Sequence, residues 1–178
     1  PAGLDSLAAG MAVWEEGGGK RAIVPGLSCR HEAGFDVMRG EEVQVFGALE
    51  SVSVAPDYWV LPGTHSKWVT TDARRIEGFR TFVTGEMYAL LSERGTVGQV
   101  AADPGIALHE HPAFEAGIER ARLSDAVLST IFSLRANTLL GEMGAGDIRP
   151  FLSGFLIGRE IVEATAAIVR PSGRAVII

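Results

Sequence analysis

Tyr58-Trp59-Val60-Leu61-Pro62-Gly63-Thr64-His65-Ser66-Lys67-Trp68-Val69-Thr70 sets two short runs of β-favouring residues on either side of a tight turn. Tyr58 to Leu61 reads as one strand, Pro62 to His65 as the turn, and Lys67 to Thr70 as the next strand. Asp72 to Arg75 turns the chain again, and Ile76 to Val83 gives a third strand. Connections this short predict an antiparallel meander.

Toward the C-terminus, Thr84-Gly85-Glu86 leads into a helix over Met87 to Glu93, with Thr84 as its N-cap. Residues 95–111 are looser, with a turn at Asp103-Pro104-Gly105. Helical spacing then covers Pro112 to Arg120, Ser124 to Leu140 and Phe151 to Val169. In the second of these, Ser124 is the expected N-cap, and Val127, Leu128, Ile131, Leu134 and Thr138 form the expected stripe. In the third, Gly154 and Gly158 lie one turn apart and leave room for another backbone. Pro171-Ser172-Gly173 turns the chain into a last strand, Ala175 to Ile178. Strands, then helices, then a strand predict one α/β domain.

Toward the N-terminus, Leu4 to Trp14 carries helical spacing, and Arg21 to Leu27 reads as a short buried strand. Residues 28–40 are polar and irregular. Glu41 to Leu49 returns to a helix with Val43, Phe46 and Leu49 on one side. The expected organisation is the tail of a preceding α/β domain over 1–50, a hinge over 51–57 and a second domain over 58–178.

The chain has 178 residues, 47% of them hydrophobic and 21% charged, enough for a real core and against wholesale disorder. A net charge of −6 gives no bulk attraction for nucleic acid or an anionic membrane. Cys29 is the single cysteine, so no intrachain disulfide forms, which fits a reducing, cytoplasmic setting. No apolar run approaches the roughly 20 residues of a membrane span. The leading proline and the abrupt last strand read as cut ends, so a fragment of a longer protein is expected.

Two segments carry candidate chemistry. In Gly63-Thr64-His65-Ser66-Lys67 the glycine frees backbone N–H groups to meet an anion, the hydroxyls add donors and Lys67 adds charge, a combination that can hold a phosphate. An ordinary hairpin turn needs the same glycine. In Asp36-Val37-Met38-Arg39-Gly40-Glu41-Glu42, at an expected loop-to-helix join, Asp36 is a candidate general base and Arg39 a grip for an acidic substrate. Helix capping explains Glu41 and Glu42 as readily. His31, His65, His109 and His111 lack the i, i+4 spacing of a zinc helix, so no metal site is expected of them. Cys29 beside Arg30 and His31 reads as an inert thiol.

Five blocks occur in order: Pro25-Gly26-Leu27, Asp36 to Gln44, Leu61 to Trp68, Phe82 to Glu86, and Leu152 to Glu160. Together they resemble the 2-dehydro-3-deoxygalactonokinase family over nearly the whole chain. That resemblance implies the actin/hexokinase-like fold, two RNase H-like domains with ATP and a sugar acid between them. It implies transfer from ATP, with Mg²⁺, to the 6-hydroxyl of 2-dehydro-3-deoxygalactonate. It gives Asp36 the role of base, Arg39, Glu42 and Lys67 those of substrate binding, and Gly63, Thr64, His65 and Ser66 those of holding phosphate. The superfamily's first phosphate turn, an Asp-Gly-Thr hairpin, and its glycine-rich adenosine segment do not occur in these residues. The chain is therefore expected to hold the end of the first domain and most of the second, and to be inactive alone. A non-catalytic module that binds a sugar acid or nucleotide is the alternative. The apolar faces of the last helices are core, a contact for the rest of the protein, or a homodimer surface.

Overall fold

The meander forms as the sequence predicts. β5 (Tyr58–Leu61), β6 (Ser66–Asp72) and β7 (Arg75–Phe82) are antiparallel neighbours, and β8 (Ala175–Ile177) adds parallel to β5. The sheet order is β7-β6-β5-β8, so β5 is internal and buried along its length. The computed structural model describes residues 1–168 and 173–178; the expected turn through Pro171 and Ser172, and the end of the last helix at Val169, lie outside the described residues. The described chain forms two compact units, Pro1–Phe82 with Ile168–Ile178, and Val83–Ala167. The residues expected to act as a hinge, 51–57, lie inside the first unit.

In the first unit, α2 (Glu41–Ser51) packs its buried face on the sheet. Val45, Phe46 and Leu49 join Trp59, Leu61, Val69, Ile76 and Phe79 in one core. Trp59 is fully buried, and its indole N–H is satisfied by Thr71 Oγ1 at 3.2 Å, which in turn donates to the Pro56 carbonyl at 2.7 Å. The helix has no apolar residue at its first buried position. Its inward stripe runs Glu42, Val45, Phe46, Leu49, and the expected Val43 is 48% exposed. Glu42 can sit inside because its carboxylate turns back to accept the Gly40 N–H at 2.7 Å.

Three expectations for the first 40 residues are corrected. The first helix, α1 (Leu4–Ala9), ends at Gly10, and Trp14 lies in a strand instead. β1 (Ala12–Glu16) pairs with β2 (Gly19–Ile23) through Gly17 and Gly18, both at positive φ, as a tight two-residue hairpin demands. β2 is exposed throughout, not buried. Residues 28–40 are not irregular: β3 (Leu27–His31) and β4 (Gly34–Met38) form a second hairpin. Its period is masked because the half-buried positions of β3 are Leu27, Cys29 and His31, only one of them aliphatic.

The second unit is helical. α3 (Thr84–Ala89) continues into a wider π turn over Leu90–Arg94. Thr84 is the first helical residue and Val83 the cap, so Thr84 does not cap through its side chain. α4 (Pro112–Leu123), α5 (Val127–Leu139) and α6 (Ile148–Ala167) follow. α5 begins three residues after Ser124, whose hydroxyl instead accepts the Ala126 N–H in the preceding turn. Only Thr130 and Leu134 of α5 are buried, and Leu128, expected in the stripe, is 84% exposed. α4 and α6 pack backbone to backbone through Gly117, Gly154 and Gly158. No helix among the described residues is long and apolar enough to cross a membrane.

Candidate functional site

The β5–β6 turn and the start of α2 meet in the first unit. Gly40, at φ 118°, precedes the helix, and its carbonyl accepts from Val43 and Gln44 N–H groups at 3.1 and 3.3 Å. Glycine is needed there because other residues rarely adopt that backbone. A concavity of about 420 Å³ is lined by Arg39, Gly40, Glu41 and Gln44 on one side and by Leu61 to His65 on the other, with Ile178. A second, of about 570 Å³, is lined by residues 25–28, residues 37–39, Glu41, His65 and Lys67. Arg39, Glu41 and His65 border both. Gly26 forms part of the second wall at φ 74°, where a Cβ would lie 2.5 Å from the Met38 carbonyl oxygen.

Lys67 is 4% exposed. Its Nζ donates to the His65 carbonyl at 3.1 Å and lies 3.2 Å from Glu41 Oε1. Glu41 Oε2 accepts the Arg39 N–H at 3.0 Å. Burial pushes the Glu41 carboxyl up, but the backbone N–H groups and the Lys67 hydrogen bond and charge outweigh it and hold it below its ordinary range. The Arg39 side chain, by contrast, is exposed and makes no hydrogen bond or ion pair among the described residues.

Of the residues expected in the site, Arg39, Gly63, Thr64 and His65 line the first concavity, and Arg39, His65 and Lys67 the second. Asp36, Glu42 and Ser66 line neither. Asp36 lies within β4, opposite Cys29, and not at a loop-to-helix join. Its Oδ1 accepts the Val37 N–H and the Thr81 hydroxyl, and its Oδ2 the Thr81 N–H, all at 2.7 Å. His31 Nε2 lies 3.6 Å from Oδ2. Glu42 is fully buried, with Oε1 making no hydrogen bond among the described residues. Sequence reasoning passed over Glu41 because a glutamate in a first helical turn is most simply a cap. Nothing in the sequence marked it, because its place opposite the Gly63-Thr64 turn is set by how α2 packs on the sheet.

Cys29 Sγ donates to the Phe79 carbonyl at 3.3 Å, and burial, reinforced by the Asp36 charge, pushes its thiol up. It is expected to react with a thiol-selective reagent more slowly than free cysteine, on the order of tenfold or more. Fast stoichiometric labelling of the folded protein would contradict this placement. His111 caps α4 by accepting the Ala113 N–H at 3.2 Å and lies 3.6 Å from Asp147. No group of three or more His, Cys, Asp or Glu residues converges on a metal-sized space among the described residues.

The model of the 2-keto-3-deoxy-galactonokinase family matches residues 1–178. The chain is 41% identical over 144 residues to the 2-dehydro-3-deoxygalactonokinase of Escherichia coli (strain K12), covering 79% of this chain and 47% of that protein. It is 39% identical over 145 residues to a relative with the same assignment from Rhizobium meliloti (strain 1021), covering 81% and 47%. The chain thus spans about half the length of the curated relatives it matches. It also superposes on the crystal structure of a Sinorhizobium meliloti protein assigned as a 2-dehydro-3-deoxygalactonokinase. The TM-score is 0.83 at 35% identity, over 94% of this chain and 56% of that one.

Proposed function

The chain belongs to the 2-keto-3-deoxy-galactonokinase family, and from that premise we propose that the protein carrying it phosphorylates the 6-hydroxyl of 2-dehydro-3-deoxy-D-galactonate with ATP. One observation carries the reading onto these residues. The Gly63-Thr64 turn, the start of α2 and the Arg39 guanidinium, unpaired among the described residues, line a single concavity. Phosphoryl transfer needs fixed donors and positive charge around the phosphates and little covalent help from the protein. The turn supplies backbone N–H groups and the Thr64 hydroxyl, and Arg39 suits a carboxylate or a phosphate. The α/β unit, a meander joined by a parallel β8, supports an RNase H-like half of an actin/hexokinase-like fold.

Magnesium is the ion such a reaction requires. Oxygen donors are what such an ion takes, and the first concavity offers the Thr64 hydroxyl. When bound, the ion neutralises phosphate charge.

The test is a coupled ATP-turnover assay on the gene product that contains this chain, with Mg²⁺ and either 2-dehydro-3-deoxygalactonate or its gluconate epimer. Turnover on the galactonate-derived acid supports the proposal. A folded protein that binds the acid or the nucleotide and turns over neither substrate overturns it in favour of a binding module.

A further inference from the structure

We infer that Glu41, rather than Asp36, is the carboxylate that receives the proton of the acceptor hydroxyl, with Lys67 as the residue that positions it; the inference rests on the phosphoryl-transfer reading above. A general base must come within about 2.6–3.2 Å of the proton it takes. Asp36 opens onto neither concavity. Three donors already occupy its two oxygens. Glu41 is the one carboxylate among the described residues lining either concavity, and it lines both.

Its oxygens accept the Arg39 N–H on Oε2, with Lys67 Nζ beside Oε1 and Glu41's own N–H as a third donor. A carboxylate has about four acceptor positions, so one remains for a substrate hydroxyl. The same neighbours hold the carboxyl below its ordinary range. A weak base suffices, because in a loose phosphoryl-transfer transition state the group that meets the hydroxyl chiefly orients it.

Lys67 has a different part from the one its charge first suggests. It is buried, committed to the His65 carbonyl and to Glu41, and so not placed to meet an anionic substrate. Arg39, exposed and unpaired among the described residues, is the cation placed to do so. In the reaction, the acceptor oxygen forms its bond to the γ-phosphorus as the bond from that phosphorus to the β–γ bridging oxygen breaks. The nucleoside diphosphate leaves with that electron pair, and the hydroxyl proton passes to Glu41 and then to solvent.

The experiment uses the gene product containing this chain, with Mg²⁺-ATP and 2-dehydro-3-deoxygalactonate. Glu41→Gln is expected to lower kcat by about 100-fold or more, with KM for ATP little changed. Glu41→Asp, which keeps the charge on a shorter arm, is expected to fall between that variant and wild type, and nucleotide binding reports whether each variant is folded. Lys67→Met is expected to move the acid limb of the kcat/KM profile to higher pH, a change that loss of packing alone would not produce. Lys67→Arg should restore part of it. If wild type turns over and folded Glu41→Gln stays within about tenfold of it, the inference fails while the kinase reading stands. A folded Asp36→Asn losing about 100-fold beside such a Glu41→Gln would return the role to Asp36. Absence of turnover in folded wild type overturns the kinase reading itself, and the inference with it.

Discussion

Gly154→Ala is expected to destabilise the helical unit by about 1–3 kcal/mol, despite putting a better helix former inside a helix. On propensity alone the change would stabilise α6 by up to about 1 kcal/mol. Packing reverses the sign. A Cβ at residue 154 would lie 2.0 Å from the Phe114 carbonyl oxygen and 2.8 Å from its carbon, both backbone atoms of α4. Nothing flexible can yield, so the two helices must part, and the same contact is tight at Gly117, where a Cβ would meet the Phe151 carbonyl oxygen at 2.2 Å. The parting would also loosen Arg159, whose guanidinium holds the Ala121 carbonyl at 3.0 Å and Asp125 at 2.8 Å. Gly47→Ala is the control. Gly47 is internal to α2 and has nothing within 4 Å of a built Cβ, so the same substitution there should stabilise by roughly 0.5–1 kcal/mol. Urea or thermal unfolding followed by circular dichroism reads both variants. A Gly154→Ala midpoint at or above wild type would show that the close approach of α4 and α6 is not as tight as described.

Gly154 also shows what was legible in the sequence. Two glycines one turn apart, with Phe155, Leu156 and Ile157 between them, announce a close backbone contact, and the contact is there. The meander was legible for a similar reason: Tyr58 to Leu61 and Ser66 to Asp72 are rich in aromatic and β-branched residues and flank a Pro-Gly turn, so local preference and tertiary place agree. The hairpin of β3 and β4 was not legible, because its inward positions are filled by Cys29 and His31, residues that no pattern of hydrophobicity marks as buried. α5 misled in the opposite sense. Leu128 belongs to the expected inward stripe, yet is 84% exposed, and a sequence does not say which apolar face meets the core. At the site, residue type marked the turn and Arg39, and both line the first concavity, but Gly63 stands at no positive φ and a Cβ there would meet nothing within 4 Å, so the turn's geometry does not require its glycine. Asp36 and Glu41 could not be told apart. What separates them is that β4 runs beside β7 and delivers Asp36 to Thr81, whereas α2 carries Glu41 to Lys67 across the β5–β6 turn.

That delivery makes Asp36 a structural tie, with a measurable consequence. Asp36→Ala leaves the Thr81 N–H and hydroxyl without their acceptor in a half-buried place, where a hydrogen bond to a charged group contributes about 1.5–3 kcal/mol and an orphaned donor has a penalty of its own. The expected loss is about 2–3 kcal/mol, tempered by the solvent that reaches the outer side of the hairpin. Asp36→Asn keeps the shape and one acceptor, and turns an amide N–H₂ toward the other donor, so it should lose about half as much. Thr81→Val removes the hydroxyl but keeps the backbone N–H. The double variant Asp36→Ala/Thr81→Val should therefore lose less than the two single changes added together, with a coupling of about 0.5–3 kcal/mol. Additivity within about 0.5 kcal/mol would mean that the two side chains do not hold one another. The tie matters for the site because β4 leads through Met38 directly to Arg39 and Gly40. Slack in the hairpin is carried along the chain to the guanidinium and to the first turn of α2. Asp36 variants should accordingly raise the KM for the acidic substrate more than they lower kcat, the opposite of the split expected at Glu41.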